Sequence, residues 1–395
     1  MERSRAWRGP AILSYGFRPF FLGGAIWAAL AMVLWLAMLA GAVELPTRLD
    51  PISWHAHEFL FGYLGAIIAG FLLTAVPNWT GRLPIAGWPL GGLFLLWLSG
   101  RVAIATSAFW SPATVAFVDL AFPVLFALVI AREIVAGKNR RNLMVLGLFA
   151  ALVAGNGTFH WEAARGDFAA QGYGLRIGLA TAIMLIGLIG GRIVPSFTRN
   201  WLVKRGAGQL PSPPMGRFDK VALLTLLAAL LVWIARPDSS VAGSLLLLAG
   251  LAHAARLVRW AGFRTGAEPL VWVLHAGYAF VPLGAIVVGF SVLSTNLAGV
   301  TAAQHLWMAG GIGLMTLAVM TRATLGHTGQ ELTAGPATTA IYLLVVAATL
   351  ARLTSGAFAD VAAILHLVSG LAWFCAFFGF ALIYGRLLIA PRSRS

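Results

Sequence analysis

Long apolar stretches limit what this 395-residue chain can fold into more than any single residue does. A bilayer core is crossed by a helix of roughly 20 apolar residues. A window of that length finds twelve, at about 20–42, 57–77, 88–107, 112–134, 142–160, 174–194, 220–236, 240–258, 269–292, 301–321, 338–352 and 360–388. Pro89, Pro112, Pro195 and Pro269 fall near edges, where proline starts or stops a helix. Of all residues 59% are hydrophobic and 10% charged, whereas a soluble domain carries about a quarter charged. No water-facing globule of this size hides that much apolar surface. The 45 glycines agree, because small residues let membrane helices approach closely. The expected fold is all-α: a polytopic membrane protein of about 12 transmembrane helices, with residues 1–395 forming a single transmembrane domain. A disordered chain, a secreted disulfide scaffold and a cytosolic enzyme are excluded.

The formal charge of +15 would suggest nucleic acid in a soluble protein. Here the cations sit in short loops, so topology accounts for them and no nucleic-acid partner is expected. An N-terminus in the cytoplasm puts 22 of the 28 Lys and Arg on the inner side. Arg48, Arg101, Arg165, Arg176, Arg236 and Arg352 fall outside. Both termini are then cytoplasmic. Cys375 is the single cysteine, so there is no CxxCH and any haem is held non-covalently.

A faint repeat marks the inner ends of the second, sixth and tenth spans. Val76-Pro77-Asn78-Trp79-Thr80 matches Val194-Pro195-Ser196-Phe197-Thr198, 118 residues on, and Ala318-Val319-Met320-Thr321-Arg322 is a weaker third copy. Every fourth helix would then be equivalent, a three-times-four pseudo-repeat; helices ending at one interface also share end chemistry.

Ionisable residues in or beside spans are costly and are functional candidates by default. Helix direction places His55, His57, His160, His305 and His366 on the outer side, and His253, His275 and His327 on the inner. His305 and His327 stand 22 residues apart, about 33 Å along a straight helix, so two sites at different depths are expected. The outer set comprises Trp54-His55-Ala56-His57-Glu58, Phe159-His160-Trp161-Glu162 and Gln304-His305-Leu306-Trp307. Imidazole suits copper, iron and zinc. His55, His57, His160 and His305 are therefore metal candidates, and Glu58 is the catalytic candidate, a source of a hydrogen bond or proton. His55 and His57 project apart on a regular helix and converge only at an irregular start. His366 reads as interfacial, and His253, beside Arg256 and Arg259, as structural.

The inner set has Leu274-His275-Ala276-Gly277-Tyr278 and Gly326-His327-Thr328-Gly329. His275 and His327 are metal candidates there. Arg18, Arg192, Arg322 and Tyr278 are cofactor-binding candidates, since arginine pairs with carboxylates such as haem propionates. Met308, Met315 and Met320 form no Met-x-x-Met cluster and read as packing. No phosphate loop or serine nucleophile elbow is present, which argues against an energised pump and a hydrolase.

WHAHE followed by Phe59-Leu60-Phe61-Gly62, and Leu274-His275-Ala276-Gly277-Tyr278, with Ser14-Tyr15-Gly16-Phe17-Arg18-Pro19-Phe20-Phe21, Gly70-Phe71-Leu72-Leu73-Thr74-Ala75-Val76, Gly191-Arg192-Ile193-Val194-Pro195 and Met320-Thr321-Arg322-Ala323-Thr324-Leu325-Gly326-His327-Thr328-Gly329, resemble the NnrS family over nearly the whole chain. Gln330 departs from the arginine expected to close the last motif. The resemblance implies a bacterial inner-membrane protein containing haem b and copper, tied to nitric oxide, nitrosative stress and denitrification. It does not say which histidine binds which metal. The twelve helices are also similar, at the level of fold, to haem-copper oxidases, although no adjacent His-His pair occurs.

The leading expectation is a membrane protein that binds nitric oxide at haem and copper and reduces or detoxifies it, a nitric oxide-transforming oxidoreductase surrounded by membrane lipids and fed by quinol or another donor. Two alternatives stand beside it: a transporter or metal/haem carrier, and a sensor or repair protein without turnover. Asp119 is the single carboxylate well inside the apolar runs, which weighs against a transporter.

Overall fold

A computed structural model describes residues 7–82, 84–139, 142–206, 208–294 and 299–391. Among them, twelve helices are long and apolar enough to cross a membrane, and no strand is found. They are α1 (Phe17–Leu39), α2 (Pro51–Thr80), α3 (Trp88–Ala105), α4 (Pro112–Ala136), α5 (Leu143–Ala164), α6 (Tyr173–Val203), α7 (Arg217–Ala235), α8 (Ser240–Arg264), α9 (Pro269–Leu293), α10 (Val300–Thr328), α11 (Pro336–Ser355) and α12 (Ala359–Ile389). The chain is an all-α, multi-pass membrane protein.

Capping chemistry explains where several helices begin. Asp50 Oδ1 accepts from the amides of Ile52 and Ser53 at 2.9 Å, and Pro51 opens α2 with its preset φ. Ser111 with Pro112 does the same for α4, and Glu268 with Pro269 for α9. α2 therefore starts several residues before the hydropathy window expects, at its cap, and carries the polar WHAHE stretch in its first turns. Gly81, at φ +69°, ends it in the left-handed region that favours glycine. α6 and α10 likewise run past their apolar windows, because Thr, Arg, Asn and His continue a helix without being apolar.

Three helices stand apart. α2, α6 and α10 have 30, 31 and 29 residues, and their most apolar windows are 72–78% buried, against 22–50% in the other nine. Each contains a π-helical segment, at Glu58–Tyr63, Ile186–Gly190 and Leu306–Leu314. A π turn replaces i→i−4 bonding with i→i−5 and frees carbonyls for other partners. The Gly62 carbonyl accepts from Trp97 Nε1 at 2.9 Å, and the Gly187 carbonyl from Arg256 Nη1 at 2.8 Å. These are the helices that the sequence repeat singles out.

The chain divides into two compact units: unit 1 is Met1–Gly178, Val319–Glu331 and Phe377–Ser395, and unit 2 is Leu179–Ala318 and Leu332–Ala376. In unit 1, α4 packs against α2, α3 and α5, and α1 against α2. In unit 2, α8 packs between α7 and α9. The α8–α9 crossing is close: a Cβ on Gly289 would stand 2.8 Å from the Gly243 carbonyl.

Candidate metal centre

Four helices of unit 1 meet in a buried polar cluster at one end. α2 and α4 contribute from near their N-terminal ends, α3 and α5 from near their C-terminal ends. Arg101 of α3, counted among the outer cations by topology, lies inside its helix and is 3% exposed. Its Nη1 donates to both oxygens of Glu58 at 2.7 Å, and its Nη2 donates to Asp119 Oδ1. One guanidinium thus holds carboxylates from α2 and α4, the forked geometry that only arginine offers.

The histidines complete the cluster. His57, fully buried, faces Glu58 Oε1 with Nδ1 at 3.1 Å and Asn156 Oδ1 with Nε2 at 3.0 Å. Asn156 Nδ2 donates to Asp119 Oδ2 at 2.8 Å, which fixes its amide so that its oxygen points at His57. His160 Nε2 lies 3.0 Å from Asp119 Oδ2, and His57 Nε2 lies 3.3 Å from the same oxygen. Ligating atoms of His57, Asp119 and His160 all fall within 4.8 Å of one another. Glycines make the room: a Cβ on Gly62 would collide with the Arg101 guanidinium, and one on Gly100 would stand 2.8 Å from Asp119 Oδ1.

Glu58 and Asp119 carry two negative charges against one on Arg101, so the cluster lacks one positive charge. Both ring nitrogens of His57 face oxygen acceptors. A cation satisfies that arrangement, either a second proton on the imidazole or a metal ion shared with Asp119 and His160. In a low-dielectric site an unmatched charge is expensive, which makes such a cluster a cation trap.

The remaining candidate residues are placed elsewhere. His55, on the opposite face of α2 from His57, stacks on Trp35 at 4.0 Å between ring centroids and on Phe59 at 4.6 Å. His327 lies against Tyr15 and Phe17 at 5.7 and 5.5 Å, all within unit 1. Arg18 is buried, and its Nη1 donates to the carbonyls of Leu388 (3.1 Å) and Ala390 (2.7 Å), capping the C-terminal end of α12. Arg322 is half-buried on the stretch of α10 that belongs to unit 1. His305, Arg192, His275 and Tyr278 fall in unit 2. His305 Nδ1 donates to the Thr301 carbonyl at 2.7 Å, and Arg192 is half-buried. His275 Nε2 lies 2.8 Å from Thr198 Oγ1.

Tyr278 belongs to a second buried cluster. Its hydroxyl is 2.8 Å from His253 Nδ1 and accepts from Arg256 Nη1 at 2.8 Å, while Arg256 Nε donates to Asp219 Oδ1 at 2.6 Å. Arginine and aspartate cancel here, so this cluster is neutral and has no demand for a cation. His253, read from sequence as structural, sits in it with Nε2 on the Ala222 carbonyl at 3.1 Å.

The cluster of unit 1 joins histidines that the sequence marks to three residues it does not mark as site residues. Topology counts Arg101 with the loop cations, hydropathy gives Asp119 no partner, and Asn156 carries no signal in the sequence. An arginine and an aspartate in consecutive apolar runs, 18 residues apart, were the available clue.

The NnrS protein family matches residues 11–392, nearly the whole chain. The chain belongs to the NnrS family. No curated protein matches it. Membership links the chain to nitric oxide-related function. Of the motifs that resemble NnrS, WHAHE supplies His57 and Glu58 to the cluster, while Leu274–Tyr278 supplies Tyr278 to the neutral one. Arg101, Asp119, Asn156 and His160 lie outside the motifs quoted for NnrS.

Proposed function

We propose that this NnrS-family chain is a single transmembrane domain of a bacterial inner membrane, with both termini cytoplasmic, which binds nitric oxide at a metal held by His57, Asp119 and His160 and reduces or detoxifies it. The observation that carries the reading is three donor groups, two buried and His160 half-buried, within 4.8 Å in a cluster one positive charge short. Two imidazoles and a carboxylate suit copper, the ion implied by the resemblance, and equally zinc or ferrous iron. Copper bound there would supply one-electron chemistry. Haem b rests on the resemblance alone: no histidine lines the cavity beside the cluster, the one at Arg82–Glu133 or the groove along Ser99–Val118.

The chain's own residues have defined tasks. Arg101 pins Asp119 and Glu58, so the ligand carboxylate has one orientation. Glu58 holds His57 Nδ1, as outer partners do for metal-binding histidines, and Asn156 occupies Nε2, the nitrogen it would cede to the metal. Glu58 accepts the proton at His57 Nδ1, the position from which a buried carboxylate relays one. Reduction draws electrons from a donor, for which we propose membrane quinol.

Metal analysis of the detergent-purified protein, with optical spectra in the oxidised, dithionite-reduced and reduced-plus-NO states, tests the reading. H57A, D119N and H160A should each lose bound copper, by tenfold or more in affinity, together with the NO-dependent spectral change. Full copper content and an unchanged NO response in all three variants would sink it. NO binding without consumption under reductant would favour the sensor or repair alternative. Accumulation of a substrate in proteoliposomes without redox change would favour the carrier.

A further inference from the structure

Beside the cluster lies a cavity of about 20 Å³ lined by α2, α3, α4 and α5. That is room for one or two heavy atoms, since about 10–15 Å³ on this measure already holds a water. Eight of its eleven lining residues are apolar, and the three polar ones are Arg101, Asp119 and Asn156, all members of the cluster. Arg101 Nε is buried and has no hydrogen-bond partner among the described residues. Pro123, also in the lining, has no N–H to give the Asp119 carbonyl four residues before it, so that carbonyl lacks its helical donor. One side of the chamber therefore presents an unused donor beside the proposed metal ligands, and the rest is apolar.

Two of the lining residues reach the outer surface of their helices. Nine of the eleven residues are buried; Pro123 of α4 and Val153 of α5 are half-exposed. Both lie on apolar helices well away from their ends, at a depth where the surroundings are hydrocarbon. A charged species reaching the chamber this way would have to shed its hydration in lipid, which is strongly unfavourable. A small uncharged molecule pays little.

We infer that the gap between Pro123 and Val153 is a lateral portal through which an uncharged diatomic gas passes from the lipid into the chamber, where it accepts a hydrogen bond from Arg101 Nε. Water in the resting state shares that chemistry, and the diatomic displaces it. Identifying the diatomic as nitric oxide rests on the proposed function; the portal itself does not.

Trp97 lines the chamber and reports on it. The test is anaerobic quenching of tryptophan fluorescence by dissolved NO in the full-length protein, with the W97F signal subtracted. V153F should reduce the Trp97 quenching constant at least fivefold, V153A should raise it about twofold, and iodide should quench Trp97 in neither. The opposed variants keep the result readable even if one packs poorly. Equal quenching in V153F and V153A overturns the portal, as does a single water that stays in the chamber of NO-saturated crystals. The same measurement in H160A, stripped of metal, separates the two proposals: quenching retained with metal lost leaves the portal standing, whereas metal retained with quenching absent overturns the portal alone.

Discussion

Arg101 neutralises carboxylates from two neighbouring helices, and removing it leaves two buried negative charges with little to balance them. Breaking one side of a buried ion pair costs roughly 3–5 kcal/mol. R101A should therefore lower the thermal midpoint in detergent steeply. R101K should fall between, because lysine keeps the charge but not the fork that reaches both partners. Equal midpoints for all three proteins would mean that the network contributes little. The histidines show how far residue-level reading goes. His57 and His160 were legible as ligand candidates from type and position. The alternation in WHAHE separates His55 from His57 because neighbours two apart point away from each other on a helix, and the structure places His55 against Trp35. Asn156 was not legible, since its role depends entirely on which carboxylate its amide nitrogen meets.

Helices were legible in number and approximate extent because hydropathy reports apolar surface directly. Their true starts follow caps such as Asp50-Pro51 rather than the first apolar residue, which is why α2 gains the turn ahead of His57, with Trp54 and His55 in it. The π-helical segments left no trace in the pattern. They arise where side chains from other helices capture freed carbonyls, as Trp97 does at Gly62 and Arg256 at Gly187. A π segment behaves as one extra residue in a helix. Inserting one alanine between Phe59 and Leu60, if the added residue is taken up as regular helix, should rotate His57 and Glu58 by about 100° relative to the rest of α2. Circular dichroism should then show unchanged helical content while copper binding falls to background. Copper retained at wild-type stoichiometry would show that the phase of α2 across the π segment does not set the site.

Taken whole, the molecule is laid out by charge at two levels. The orientation proposed from its loop cations is testable through the single cysteine, which lies exposed on α12. In a C375S background, a cysteine at Gln209 should react with an impermeant maleimide only after the membrane is opened, and one at Glu44 should react in intact spheroplasts. The reverse pattern would invert the topology. Buried charges form the second level, and they were the less legible one, because pairing between helices is a three-dimensional fact that a one-dimensional scan assigns to loops. The Arg101–Asp119 pair also bears on how the chain is made. Taken singly, a charge at the middle of a span opposes insertion by about 2.5–3.5 kcal/mol, and each of these, nearer a helix end, by a part of that. Only a short turn separates α3 from α4. The two should therefore leave the translocon as one hairpin, already neutralised, so that a lesion at either residue would surface first as a failure of biogenesis and only later as a failure of chemistry.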